Sequence, residues 1–366
     1  MTRAVSTVTA LVGFDGQVFQ AIYRAEAQRA GSELALSFSN RTQETTLLLV
    51  RRFATMRLKM SKLGCLLVVS GLAIVATNGG NAQEPSNPAR HFDRVLIIVL
   101  ENESYVSAIK DKYLKALSEE GTEFTDFRAV AHPSYPNYLA MISGSTFGLH
   151  GLFGDFQKNF PDDPQHRTIA DLVDWKNYAE NYPAKPGQPP FLGDSDGKKY
   201  ARKHAPFLSF EKIQKESSQN VVSVDTRDSH NTFVTDVENS RKDAKDPKYK
   251  PLPTYMFYSP NLDDDGHDTN LGTASTWLKN FLENWFPPDA RGGTLIVVTF
   301  DESEAPERAT NHIYTVFLGD MVKKGYKVAG RHHHYDVLRT IENNFGLQTL
   351  NSGDSKATVI NNIWNN

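Results

Sequence analysis

The 366-residue chain has almost no cysteine: Cys65 is the only one. A disulfide framework is therefore excluded, and stability has to come from a packed core or from bound metal. No internal repeat is visible. The apolar run Leu63 to Ala76 falls short of the ~20 residues that a comfortable membrane span needs. Basic charge is also scarce where it would matter. Of a formal net charge of −3, residues up to Gln83 hold nine Lys and Arg against four Asp and Glu, which leaves −8 on the remainder. An acidic body with no basic helix or aromatic-basic stripe is a poor partner for nucleic acid, whose binding rests on neutralised phosphates.

The basic front has an explanation of its own. Met56 to Lys62 is a positive segment, Leu63 to Ala76 is apolar, and Thr77 to Gln83 is small and polar, with a cleavage point after Ala82. That is the layout of a secretory signal peptide. Cys65 lies inside it without a preceding apolar run, which argues against lipid attachment. The expected organisation is an N-terminal extension or mis-called start at 1–55, a signal at 56–82, a linker at 83–91 and one catalytic domain at 92–366. The product is expected to be exported, to the periplasm or the medium, with no membrane span in the mature chain.

Two continuous apolar runs, Val95 to Leu100 and Thr294 to Phe300, read as strands buried on both faces. Weaker strand candidates are Val221 to Val224, Thr254 to Tyr258 and Ile313 to Leu318. Helical spacing marks Tyr105 to Glu120, Tyr138 to Ile142, Thr168 to Trp175, Ala274 to Trp285 and Tyr335 to Phe345. Alternation of the two predicts an α/β fold with a mostly parallel sheet covered by helices. Residues 146–210 and 226–253 are irregular and read as insertions over one end of the sheet.

Both strong strands run straight into acidic pairs: Glu101-Asn102 and Asp301-Glu302. Ligands in open α/β sheets bind at the carboxyl ends of strands. Three carboxylates gathered there repel one another, and a cation relieves this. The all-oxygen donor set Glu101, Asn102, Asp301 and Glu302 favours Mg, Ca or Mn over Zn. For either pair alone, a loop or capping carboxylate is the plainer reading. His132-Pro133-Ser134-Tyr135-Pro136-Asn137-Tyr138 places a serine before a helix N-terminus, where free N–H groups favour an anion. Ser134 is thus a candidate nucleophile, though a plain N-cap is the commoner role for such a serine. Asn261 to Asp268 is an Asp-rich loop whose His267 could protonate a leaving alkoxide. His204 in a basic loop could face phosphate. Of His332, His333 and His334, only His334 suggests a supporting role.

These blocks, with Phe92-Asp93-Arg94 ahead of them, Tyr200-Ala201-Arg202-Lys203-His204 between them and Phe345-Gly346-Leu347 behind, occur in one order. That order resembles the phosphoesterase family of secreted acid phosphatases and bacterial phospholipases C, most of all the fungal-type secreted acid phosphatases, over about residues 92–365. The resemblance implies an alkaline-phosphatase-like fold. It implies that Glu101, Asn102, Ser134, Asp301 and Glu302 surround a metal, with Ser134 becoming phosphorylated. It casts His204 and His267 as phosphate holders or proton donors, and Asn102, Asn137 and Asp265 as substrate contacts. Sulfatases carry Arg where this chain has Tyr138, so their formylglycine chemistry is not expected. The expected function is metal-dependent phosphomonoester hydrolysis of a small-molecule phosphate ester, best at acidic pH if protonated His holds the phosphate. A phospholipase C-type diesterase and a non-catalytic exported metal-binding module are the alternatives.

Overall fold

The computed structural model describes the backbone of residues 8–14 and 17–23, and residues 90–365. The chain divides into two compact units, Met1–Asn81 and Ala82–Asn366. In the first, β1 (Val8–Phe14) and β2 (Gln17–Tyr23) form an antiparallel hairpin. The expected signal at 56–82 and the linker as far as residue 89 lie outside the described residues.

The second unit is built on an eight-stranded sheet. Its members are β3 (Arg94–Leu100), β4 (Thr122–Phe124), β6 (Trp175–Glu180), β7 (Val221–Val224), β8 (Tyr255–Ser259), β9 (Thr294–Phe300), β11 (Thr315–Leu318) and β12 (Tyr326–Val328). The order is β12-β4-β11-β9-β3-β8-β6-β7. Only β11 runs against the rest. β3 and β9 sit side by side in the middle, parallel and in register from Arg94 opposite Thr294 to Leu100 opposite Phe300. Every residue of β9 is buried, as is β3 from Val95 onward, and their unbroken Val, Ile and Leu content suits such a site. A smaller sheet joins β5 (Phe127–Arg128) to β10 (His312–Ile313) and β13 (His332–His333).

The helices are α1 (Tyr105–Ala108), α2 (Lys112–Glu120), α3 (Ser134–Ser143), α4 (Glu211–Glu216), α5 (Thr232–Ser240), α6 (Leu271–Asn280) and α7 (His334–Asn344). Three sequence expectations need correction. Tyr105 to Glu120 is two helices, because the Asp111 carboxylate accepts from Tyr113 and Leu114 N–H and starts a new one. Ile313 to Leu318 breaks at Tyr314 and serves two sheets. Thr168 to Trp175 is a single turn at Ile169–Asp171 leading into β6, not a helix. β6 is masked in the sequence by buried polar residues whose partners lie far along the chain. Asn177 Nδ2 donates to the Phe257 carbonyl at 3.1 Å, and Glu180 accepts from Tyr258, Asn261 and Trp277.

Candidate active site

The parallel register of β3 and β9 brings their carboxyl ends together. Glu101, Asp301 and Glu302 are all buried there, and the Asn102 N–H donates to Asp301 Oδ1 at 3.0 Å. Asn102 takes φ +56°, a left-handed turn that leads the chain away from the strand end. The third element arrives from α3. Pro133 occupies its N-cap position and has no side-chain acceptor, so Ser134 is the first helical residue and not the cap. Ser134 Oγ is buried and donates toward Glu101 Oε2 at 3.1 Å and Glu302 Oε1 at 3.4 Å. The cap is supplied instead by Asp155, whose Oδ1 accepts from the Tyr135 N–H at 3.0 Å and whose Oδ2 meets Lys203 Nζ at 2.8 Å.

His204 is buried between two carboxylates. Its Nε2 lies 3.0 Å from Glu101 Oε1 and its Nδ1 3.3 Å from Asp265 Oδ2, at ion-pair distance but off the line of a good hydrogen bond. The ring stacks on Tyr138 at 4.8 Å between centroids, and the Tyr138 hydroxyl donates to Glu101 Oε1 at 2.7 Å. Burial opposes the imidazolium, yet Glu101 and Asp265 outweigh it and hold His204 up at about 9. Burial likewise opposes ionisation of Glu101, but His204 and Lys203 draw it down to about 2. Asp265, for which burial wins, stands at about 6. Asp301 is pushed well above the carboxylate range by burial and then by Glu101 and Glu302 beside it.

His267 is one-third exposed, with its ring 6.3 Å from that of His204 and its Nδ1 2.7 Å from Asp268 Oδ1. His334, the first residue of α7, contacts the Asp301 carbonyl through Nε2 at 3.0 Å, and burial lowers it to about 4. Asn137 is placed differently from the substrate contact expected of it. Its Oδ1 accepts from the Val130 and Ala131 N–H groups at 3.0 Å each, and its Nδ2 donates to the Ala131 and Pro133 carbonyls. All its polar capacity goes to the loop that leads into Ser134.

Sequence reasoning passed over four residues that touch this centre. Tyr138 had a usable signal, because four residues along a helix from Ser134 it shares the same face. His132, paired with Glu302 through Nδ1, lay inside a motif already singled out. Lys203, next to His204, reads in the sequence only as part of a basic loop. Asp155 sits in an irregular segment and had no signal.

Glu101, Asp301 and Glu302 are buried at the β3 and β9 ends near Ser134, and Asp301 Oδ2 is buried with no partner, an oxygen chemistry that suits a hard cation. Among the described residues, the grouping whose potential ligand atoms all lie within 4.8 Å of one another is Glu101, His204 and Asp265, which shares Glu101 with the strand-end carboxylates.

Buried carboxylates beside a serine at a helix N-terminus, set on a mostly parallel sheet, suit a hydrolase of phosphate esters. The chain belongs to the Phosphoesterase family, whose model matches residues 105–348. It is 31% identical over 347 residues to a probable acid phosphatase of Kluyveromyces lactis, across 90% of this chain and 74% of that one. It is 33% identical over 282 residues to an acid phosphatase of Aspergillus niger, across 73% of this chain and 62% of that relative, so it spans about three fifths of the Aspergillus protein. Among solved structures, it overlaps a Vibrio parahaemolyticus protein of the alkaline phosphatase superfamily with a TM-score of 0.46 and 14% identity, over 75% of this chain and 72% of that chain.

Proposed function

We propose that the chain is an exported, metal-dependent phosphomonoesterase of the acid phosphatase type that works through a phosphoserine at Ser134. What supports this above all is the placement of Ser134 Oγ between carboxylates from two different strand ends, at the first turn of α3. Glu101, Asn102, Asp301 and Glu302 would hold a hard divalent ion, Mg, Ca or Mn before Zn. Such an ion supplies charge neutralisation for phosphoryl oxygens. The rest of the chemistry belongs to the side chains. Ser134 Oγ forms a bond to phosphorus while the bond to the leaving alcohol breaks, and its proton passes to Glu101 or Glu302. The Ser134 N–H at the start of α3 and the Lys203 ammonium would face the non-bridging oxygens.

His204 has carboxylates on both nitrogens, so it orients Glu101 and Asp265. His267, more exposed and with Nδ1 held by Asp268, protonates the departing alkoxide. Water then attacks the phosphoserine, phosphate leaves, and Ser134 regains its proton. The substrate is a small phosphate monoester, and the leader at 56–82 directs export. No helix of the described residues is long and apolar enough to cross a membrane.

The test is turnover of a chromogenic phosphate monoester by residues 83–366, with mass spectrometry of acid-quenched enzyme. A phosphate adduct on Ser134, and a loss of at least about 10³-fold in kcat for Ser134→Ala, are expected. A folded Ser134→Ala enzyme with near-native kcat would refute the assignment.

A further inference from the structure

The three most exposed large apolar side chains among the described residues fall within five positions: Leu152 at 95%, Phe153 at 71% and Phe156 at 58%. Single exposed apolar residues are ordinary, but three in one loop mark a surface that meets something. This loop is fastened to both sides of Ser134. The Gly151 N–H donates to the His132 carbonyl at 2.9 Å, and Asp155 Oδ1 takes the Tyr135 N–H. Gly154 presses on Pro133 so closely that an added Cβ would lie 2.4 Å from Pro133 Cδ. Asp155 Oδ2 also ties the loop to Lys203, the neighbour of His204. Chain geometry across the Asp155 bridge puts the Phe156 Cα within roughly 12 Å of the Ser134 backbone. Phe153 and Phe156 stack at 5.8 Å between centroids, 24° apart, so the aromatic pair is already arranged.

We propose that Leu152, Phe153 and Phe156 form an apolar subsite at the mouth of the active site that receives the organic group of the phosphate ester. This rests on the phosphomonoesterase assignment above. Lys203 on the inner side and uncharged aromatics on the outer side match a molecule with one anionic and one apolar end. The preferred substrates are monoesters of aryl or long-chain alcohols, in preference to those of small polyols.

The experiment compares 1-naphthyl phosphate with glycerol 2-phosphate for the wild-type enzyme, for Leu152→Ser/Phe153→Ser/Phe156→Ser, and for the distant exposed control Tyr249→Ser. The side chains of the triple variant are exposed, so its fold should survive, which circular dichroism verifies. The naphthyl-to-glycerol ratio of kcat/KM is expected to fall at least tenfold in the triple variant, mainly through KM, and to stay level in Tyr249→Ser. An unchanged ratio, with both esters still hydrolysed, overturns the subsite and leaves the phosphatase standing. If the wild type hydrolyses neither ester, the phosphatase assignment falls and the subsite falls with it. A loss confined to a phosphate monoester lipid presented in phosphatidylcholine vesicles, with naphthyl phosphate unaffected, also overturns the subsite in favour of docking on a lipid surface.

Discussion

Replacing Asn137 by alanine separates two roles for this residue: contact with substrate, as its motif suggests, and bracing of the loop, as its geometry suggests. The side chain makes four hydrogen bonds to the backbone of residues 130–133 and is fully buried. A net hydrogen bond contributes about 1 kcal/mol, and a buried group left without its partner costs ~1–3 kcal/mol. Val130 and Ala131 are only half-buried, so water recovers part of the loss. A destabilisation of about 2–4 kcal/mol follows. At ~2–4 °C per kcal/mol for a domain of this size, Tm should drop by roughly 5–15 °C. Thermal unfolding followed by circular dichroism measures it. Below the new Tm, kcat should fall because the Ser134 backbone loses its support, while inorganic phosphate inhibits with little change in affinity. Tm within 2 °C of wild type, together with a large loss of phosphate affinity, would refute the bracing role and restore Asn137 as a substrate contact.

Two further outcomes test the charges. Glu342 is buried beside Asp354, with Arg339 3.5 Å away, and burial together with Asp354 pushes it up to about 8. The folded state therefore holds this proton more tightly than the unfolded chain does, and the contribution is whole below about pH 4.5 and lost as pH rises through 8. Tm of the wild type should decline across that window, Glu342→Gln should flatten the decline, and parallel curves would show that Glu342 is not the cause. Saturating Mn or Mg should raise Tm of the metal-stripped wild type, by about 2.7 kcal/mol of stability at a hundredfold excess over Kd. Asp301→Ala should abolish that rise, and an equal rise in both proteins would place the ion elsewhere.

The parts of this fold that could be read from sequence are those where side-chain chemistry and burial agree. β3 and β9 are unbroken apolar runs ending in carboxylates, so both the strands and the clustering at their ends followed from pattern alone. α7 announced itself by its spacing and by the Gly346 that follows it. β6 did not, because Asn177 and Glu180 carry its polarity inward to partners about 80 or more residues away, which no local pattern records. Ser134 was legible as a residue near a helix start, but whether it capped that helix depended on Asp155, 21 positions on in an irregular loop. Asn137 illustrates an ambiguity, since a buried polar residue in a motif looks the same whether it touches substrate or backbone.

Every contact that draws the centre together joins distant stretches of chain. Ser134 reaches back 33 positions to Glu101 and forward 168 to Glu302, and Asn102 meets Asp301 across 199. A piece of the chain that lacks either β3 or β9 cannot assemble the centre, so recovery of turnover during refolding reports the joining of these two strands and not of any local part. Were the chain threaded across a membrane in extended form, as the proposed export requires, the nucleophile and its carboxylates would stay apart until the domain folded on the far side.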